Sequence, residues 1–268
     1  MPEATQLANG KLLVDWPTAS VVRLTINNPA KRNALDHEML DAIVTAVANA
    51  TEARCLLITG TQTTFSGGYD ITDIPSDVFA ENAERLVAHP FAAALQALDS
   101  FPYPTVAALN GHAIGGGLEL ALTCDLRLAA ANIKVGMPPA KLGLVYSHNG
   151  IARFIDAVGV PRTRELFLLG RSIPIDEALV WGLVNGVVTD HELAGTALDW
   201  ASELAANAPL ALSGNKRVIG EVAAAARRLS PDVERELIAL REECFASQDF
   251  REGVQAFAEK RPPVWQGR

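Results

Sequence analysis

The stretch Pro104–Leu126, PTVAALNGHAIGGGLELALTCDL, decides how the rest of the chain is read. Val106 to Leu109 is a short apolar run of strand character, and Asn110-Gly111 is turn chemistry. Gly115-Gly116-Gly117 then leads into a segment of helical period that carries Glu119. A helix that begins where side chains are missing leaves backbone N–H groups open at the positive end of its dipole. That is a preformed site for an anion, or for an oxygen that becomes negative during a reaction. A triple glycine also serves simply as a close-packing turn, and this stretch alone does not separate the two readings. Its spacing fits neither G-x-G-x-x-G nor G-x-x-x-x-G-K-S/T, which disfavours nucleotide phosphate binding of those kinds.

Working outward, Lys11 to Trp16 and Ser20 to Ile26 read as two strands joined by a turn at Pro17-Thr18. Asp36 is a candidate N-cap for a helix over 37–50, in which Met39, Ile43 and Val47 share one face. Arg54 to Gly60 is a strand of buried type, followed by a loop to Asp70, and a long amphipathic helix is expected over 79–98. Leu126 to Ala130 and Ile133 to Gly136 resume strand character. Alternation of strand and helix in this order indicates crossover connections, hence an α/β fold with parallel strands. Beyond Gly150 the pattern is almost wholly helical except for a brief strand over 183–188. The last third holds three or four helices, the best marked starting at Ser230-Pro231-Asp232. Ala206 to Pro209 is the best candidate boundary, dividing the chain into 1–206 and 207–268.

With 268 residues, 49% hydrophobic and 20% charged, the chain has the make-up of a folded domain with a large core. A net charge of −8 argues against nucleic acid and anionic membranes as partners. No secretory h-region is visible in the first 30 residues. The nearly uncharged stretch between Asp99 and Asp125 is broken by prolines and glycines, so no membrane span is expected. Cys55, Cys124 and Cys244 have no C-x-x-C spacing, which suits a reducing, cytoplasmic setting and no metal site.

A second glycine turn, Phe65-Ser66-Gly67-Gly68-Tyr69-Asp70-Ile71, follows directly after a buried strand, where ligands of α/β folds usually bind. Two such turns could aim two N–H donors at one carbonyl oxygen. The blocks then fall into a known order: Asn28-Pro29 through Asn33-Ala34-Leu35, FSGGYDI at 65–71, NGHAIGGGLELALTCD at 110–125, LGL at 142–144, EALVWGLVN at 177–185 and AFAEKRPP at 256–263. In these the sequence resembles the crotonase, or enoyl-CoA hydratase/isomerase, superfamily. The resemblance implies a ββα spiral core with the active site over 1–206 and a helical trimerisation region over 207–268. It also implies acyl-CoA substrates with no cofactor beyond their coenzyme A moiety, and a homotrimer or dimer of trimers. By position it makes the backbone N–H groups of Tyr69 and Gly116 the oxyanion donors. Coenzyme A would lie against Arg32, Ala34, Gly67 and Ile71, with Phe257 and Lys260 reaching a neighbour's adenine or phosphate.

Hydratases that this chain resembles hold water between two glutamates. The first matches Glu119; the second falls at Pro139, which has no ionisable group. Tyr69, Tyr146 and His148 are the candidates to take over. MPPAKLGLVY resembles the methylmalonyl-CoA decarboxylase branch, although that branch usually carries histidine at the position of Tyr69. Decarboxylation of a malonyl-type thioester gives an enolate without a base and is slightly preferred here. Hydration or isomerisation of an enoyl-CoA in fatty-acid metabolism stays open, and so does a member of the fold that binds acyl-CoA without turnover.

Overall fold

A computed structural model describes residues 4–70, 89–226 and 229–267. Two sheets form the body. The larger has seven strands in the order β1 (Thr5–Leu7), β2 (Leu12–Thr18), β3 (Val21–Ile26), β4 (Cys55–Gly60), β6 (Thr105–Leu109), β8 (Leu126–Ala130) and β11 (Gly186–Val188). The smaller has four, in the order β10 (Ser172–Pro174), β9 (Lys134–Gly136), β7 (His112–Ile114) and β5 (Thr64–Ser66). From β3 to β11 the large sheet is parallel, as the crossover argument requires. β4 and β5, β6 and β7, β8 and β9 each give one strand to each sheet, so every turn of chain is one step of a ββα spiral. Leu24, Ile26, Leu56, Ile58, Val106 and Leu109 make the sheet's buried faces, and Phe65 and Phe154 are wholly enclosed.

Among the described residues the helices are α1 (His37–Asn49), α2 (His89–Ser100), α3 (Gly116–Thr123), α4 (His148–Arg164), α5 (Ile175–Trp181), α6 (Asp190–Ala206), α7 (Pro209–Ala226), α8 (Pro231–Ala246) and α9 (Gln248–Glu259). Asp36 caps α1 as expected, accepting from Met39 N at 2.9 Å. Ser230 caps α8, accepting from Val233 N at 3.4 Å. Of the helix expected over 79–98, residues 79–88 lie outside the described residues, and α2 is the rest.

Some expectations shift. The first hairpin turns at Ala19-Ser20, not at Pro17-Thr18. Pro17 sits inside β2, where the pairing with β3 slips between Asp15 and Thr18, and an irregular register is where a strand accepts proline. The helical stretch after Gly150 is kinked within α4 at Gly159, which has φ +72°, and is continued by a π-helical turn over Glu165–Leu169. The C-terminal helices stay close to the spiral. In α9, Gly253 lies so near the turn Pro139–Leu142 that a Cβ there would be 2.3 Å from Leu142 O. No helix among the described residues is long and apolar enough to cross a membrane.

Candidate active site

The two glycine turns meet at the head of a cavity of about 1290 Å³. One runs from β5 into Gly67-Gly68-Tyr69; the other runs from β7 through Gly115 into α3. Gly68 has φ +95°, and a Cβ on it would lie 2.8 Å from Ile114 O and 3.0 Å from Gly116 N. A Cβ on Gly117 would be 2.4 Å from Ser66 O. Main chain packs on main chain here, which is why both turns are glycine. The N–H of Gly116, the first residue of α3, has no acceptor within its helix. Leu35 N donates to Gly68 O and Asp70 N to Leu35 O, at 2.8 and 3.1 Å, so this parallel bridge turns the peptide N–H of Tyr69 away from Leu35.

Asn33 and Ser66, which sequence reading passed over, hold the first turn. Asn33 is fully buried, and its amide donates to Thr61 O and Thr64 O at 3.0 and 2.6 Å. The Ser66 hydroxyl donates to Asn33 O at 2.8 Å and accepts from Gly68 N at 3.1 Å. The one signal for Asn33 is its residue type: it adopts φ +54°, which asparagine tolerates better than most.

Glu119 lies in the first turn of α3, 3% exposed on the cavity wall. Burial pushes its carboxyl above the usual carboxylate range; the Tyr146 hydrogen bond and the fields of Arg153 and Arg241 oppose this in part. The Tyr146 hydroxyl donates to Glu119 Oε2. Burial, and then the neighbouring Glu119, hold the Tyr146 phenol well above its ordinary value. Its ring packs edge-on to Phe167, centroids 5.5 Å apart. Gly150 makes the pair possible, because a Cβ there would lie 2.6 Å from Tyr146 Cε1 and 2.9 Å from Glu119 Oε1. Arg153, one helical turn further along α4, is held by Asp99.

The other sequence candidates spread around this centre. Pro139 is buried on the cavity wall, so no second carboxyl stands at that position. His148, first residue of α4, directs Nε2 to Glu234 of α8 at 3.5 Å. The Tyr69 ring lies edge-on to His37, centroids 6.2 Å apart. Burial, followed by the charges of Asp70 and Asp36, pushes its phenol to about 12. Gly67 N donates to Arg32 O at 2.9 Å, which brings Arg32 and Gly67 together, but Arg32 and Ala34 are not on the cavity wall. Ile71 lies outside the described residues. Phe257, expected at a neighbour's coenzyme A, lines its own chain's cavity. Lys260 is exposed at the C-cap of α9. Arg261 beside it pairs with Glu252 and Glu259. Among the described residues no group of His, Cys, Asp or Glu is arranged to hold a metal ion.

Two closely packed glycine turns beside a buried carboxyl, on a ββα spiral, are an arrangement that could offer backbone N–H groups to a carbonyl whose oxygen becomes negative. The chain belongs to the enoyl-CoA hydratase/isomerase family, whose model matches residues 17–268, and is thereby an acyl-CoA enzyme. It is 34% identical over 251 residues to 2,3-dehydroadipyl-CoA hydratase of Escherichia coli strain K12, covering 92% of this chain and 96% of that one. It is 32% identical over 249 residues to a short-chain-enoyl-CoA hydratase of Clostridium acetobutylicum, covering 90% and 92%. Among solved structures, methylmalonyl-CoA decarboxylase in complex with 2-nitronate-propionyl-CoA matches with a TM-score of 0.88 at 27% identity, covering 96% and 99% of the two chains. An enoyl-CoA hydratase/isomerase from Pseudoalteromonas atlantica matches with 0.81 at 29%, covering 96% and 100%.

Proposed function

We propose that this enzyme decarboxylates a malonyl-type CoA thioester. The observation that carries the reading is the buried Glu119 on the cavity wall beside Gly116, pushed by burial toward its neutral form, with Pro139 where the second glutamate of a hydratase would stand. Hydration needs both an acid and a base at the water, and one buried carboxyl shared with Tyr146 is poorly equipped for that. Decarboxylation needs neither in its first step. The C–C bond breaks, CO2 leaves, and the electron pair moves onto the thioester oxygen as an enolate held by the N–H groups of Tyr69 and Gly116. Neutral Glu119, or Tyr146 beside it, then gives a proton to the α-carbon, and solvent replaces it. A neutral carboxyl also does not repel the substrate's carboxylate.

Hydration is the second reading, because the curated relatives named above are hydratases. Tyr146 or His148 would then position the water. The test is incubation of the purified protein with methylmalonyl-CoA, malonyl-CoA, crotonyl-CoA and a 3-enoyl-CoA, followed by mass analysis of the thioesters. Loss of CO2 from a malonyl-type substrate as the fastest reaction is expected. Faster addition of water to crotonyl-CoA overturns the reading in favour of the hydratase, and a shifted double bond favours the isomerase. Four unchanged thioesters that nevertheless bind would mark a binder without turnover.

The same reading takes residues 207–268 as an oligomerisation region and the assembly as a trimer or dimer of trimers. Leu210, Val218, Ile219 and Val222 of α7 are 60–87% exposed, apolar surface suited to burial against other copies. Mass measurement in solution tests this. The free cysteines Cys55, Cys124 and Cys244 suit a cytoplasmic setting.

A further inference from the structure

Tyr146 reaches Glu119 from a loop that the C-terminal helices hold at Leu142, Gly143, Leu144 and Val145 in turn. A Cβ on Gly253 of α9 would be 2.3 Å from Leu142 O, and a Cβ on Gly143 would be 2.8 Å from Asp249 O. Leu144 packs against Phe245 of α8 and Phe250 of α9, whose rings meet edge-on with centroids 5.1 Å apart. The remaining contact is polar. Val145 N donates to Cys244 Sγ at 3.2 Å, and the Cys244 thiol donates to Gly143 O at 2.9 Å. One side chain thus ties down the peptides on both sides of Leu144, one residue short of Tyr146. Apolar packing has no direction, whereas this pair of hydrogen bonds fixes how the two peptides are turned. Burial first, then the charges of Asp249 and Glu243, hold the thiol above its ordinary value against the opposing pull of the Val145 N–H, so it keeps the proton it donates. On the other side of Tyr146, Ser147 caps α4 by accepting from Gly150 N at 3.0 Å. The tyrosine is therefore strung between a helix cap and the Cys244 bridge.

We infer that Cys244 is a positioning residue: by bridging Gly143 and Val145 it sets where the Tyr146 hydroxyl stands against Glu119. The inference rests on Tyr146 and Glu119 working at the reacting atoms, whichever thioester reaction follows. Cys244 itself is set back behind Leu144, Val145 and Phe245, which line the cavity where it does not. It therefore acts on the chemical step through Tyr146 and not on binding. A misplacement of about 1 Å by a residue away from the chemistry can cost about 100-fold in rate. Loss of the bridge should lower kcat and leave KM nearly alone.

The test uses the full chain labelled with carbon-13 at the tyrosine Cζ. Three tyrosines give three signals, and Tyr146→Phe identifies that of Tyr146. Cys244→Ala removes both hydrogen bonds and should move the Tyr146 signal while those of Tyr69 and Tyr103 stay. Cys244→Ser can both donate and accept, and should return the signal most of the way. With the thioester that wild type turns over fastest, Cys244→Ala should lower kcat about 10-fold at unchanged KM, and Cys244→Ser should restore most of it. In a Tyr146→Phe background the same Cys244→Ala change should alter kcat by less than about 2-fold, because the hydroxyl it positions is gone; a merely structural role costs the same factor in both backgrounds. An unmoved Tyr146 signal in Cys244→Ala overturns the inference. So does an equal loss of kcat in both backgrounds, or a serine variant no better than the alanine one. Where Cys244→Ala fails to fold, Cys244→Val, which fills the space and makes neither hydrogen bond, is read in the same way. A Tyr146 signal that follows Cys244 in a protein turning over no thioester would remove the catalytic reading and leave the positioning role; turnover with an unmoved signal would do the reverse.

Discussion

The two walls of the cavity are built by opposite means. On the spiral side the parts that matter are main chain: Gly67-Gly68-Tyr69 and Gly115-Gly116-Gly117 approach so closely that a Cβ on Gly117 would fall 2.4 Å from Ser66 O. On the helical side they are side chains, with Tyr146, His148 and Arg241 carried in from before α4, from its first turn and from α8. On the reading proposed above, the backbone wall would stabilise negative charge with donors that need no reorganisation, whereas the side-chain wall would set which protons are present. Oxyanion stabilisation should therefore be insensitive to side-chain exchange, and proton traffic sensitive to it.

The strongest way to break this division is to remove a backbone donor. Gly116→Pro deletes one N–H at the first position of α3, where a helix accommodates proline, and its Cβ, 3.1 Å from Phe91 Cζ, asks only that a ring edge give way, so the fold should survive. Turnover should fall about 10²- to 10³-fold, the usual cost of one oxyanion donor. Wild-type turnover with an unchanged melting temperature would sink the assignment of Gly116. On the other wall, Gly150→Ala puts a methyl 2.6 Å from Tyr146 Cε1 and 2.9 Å from Glu119 Oε1. These atoms can move, so the protein should fold with a loss of about 1–3 kcal/mol, measured by denaturant titration. Activity should drop about 10-fold as the two groups part, roughly the 1.4 kcal/mol of one disturbed hydrogen bond. Unchanged kcat would show that the Glu119–Tyr146 contact is dispensable.

The backbone wall was legible in the sequence because main-chain approach allows only glycine, and that leaves a mark in residue type. Glu119 was legible from its place in the first turn after those glycines. Much of the large sheet was also legible: β8 spans Leu126–Ala130 as expected, and α1 begins behind Asp36. β5, β7 and β10 were missed, because each is three residues beside glycine turns or a proline, whereas the equally short β9 and β11 adjoin the apolar Ile133 and Leu183-Val184 that mark them. β1 escaped for the same reason. The side-chain wall was legible only in pieces. Tyr146 and His148 stood out because Pro139 left a gap, but nothing local to α8 announces that Arg241 lines the same cavity as Glu119. Gly150 read only as the edge of the helical part, since the Glu119 and Tyr146 it packs against are 27 positions apart in sequence and meet only through packing.

Glu119 offers a smaller effect that separates stability from catalysis. Its folded-state pKa lies above the ordinary value of 4.5, so the folded protein binds its proton more tightly than the unfolded chain does. The stability this contributes is fully present below pH 4.5 and is lost as pH rises through the raised folded value. Glu119→Gln has no proton to lose. Its melting temperature should match wild type near pH 4.5 and exceed it increasingly toward pH 8, while hydration or isomerisation, if present, suffers more than decarboxylation. Parallel pH–stability curves would mean that Glu119 is not held toward its neutral form.

The smallest effect is expected at His148, and it tests the comparison from the side-chain wall outward. The imidazole caps no reacting group in this geometry: Nε2 faces Glu234 at 3.5 Å, and that carboxylate is 51% exposed. A pair open to solvent on one side contributes about 0–1 kcal/mol, so His148→Gln should barely move the denaturant midpoint. What it removes is a tie between α4 and α8, and α8 carries Arg241. Loss of the tie should therefore loosen the α8 side of the cavity and appear as a modest rise in KM, about 2- to 5-fold, at unchanged kcat. A large fall in kcat instead would move His148 from the outer rim to the reacting atoms. It would then be a second proton carrier, and hydration, which needs two, would become the better account of this cavity.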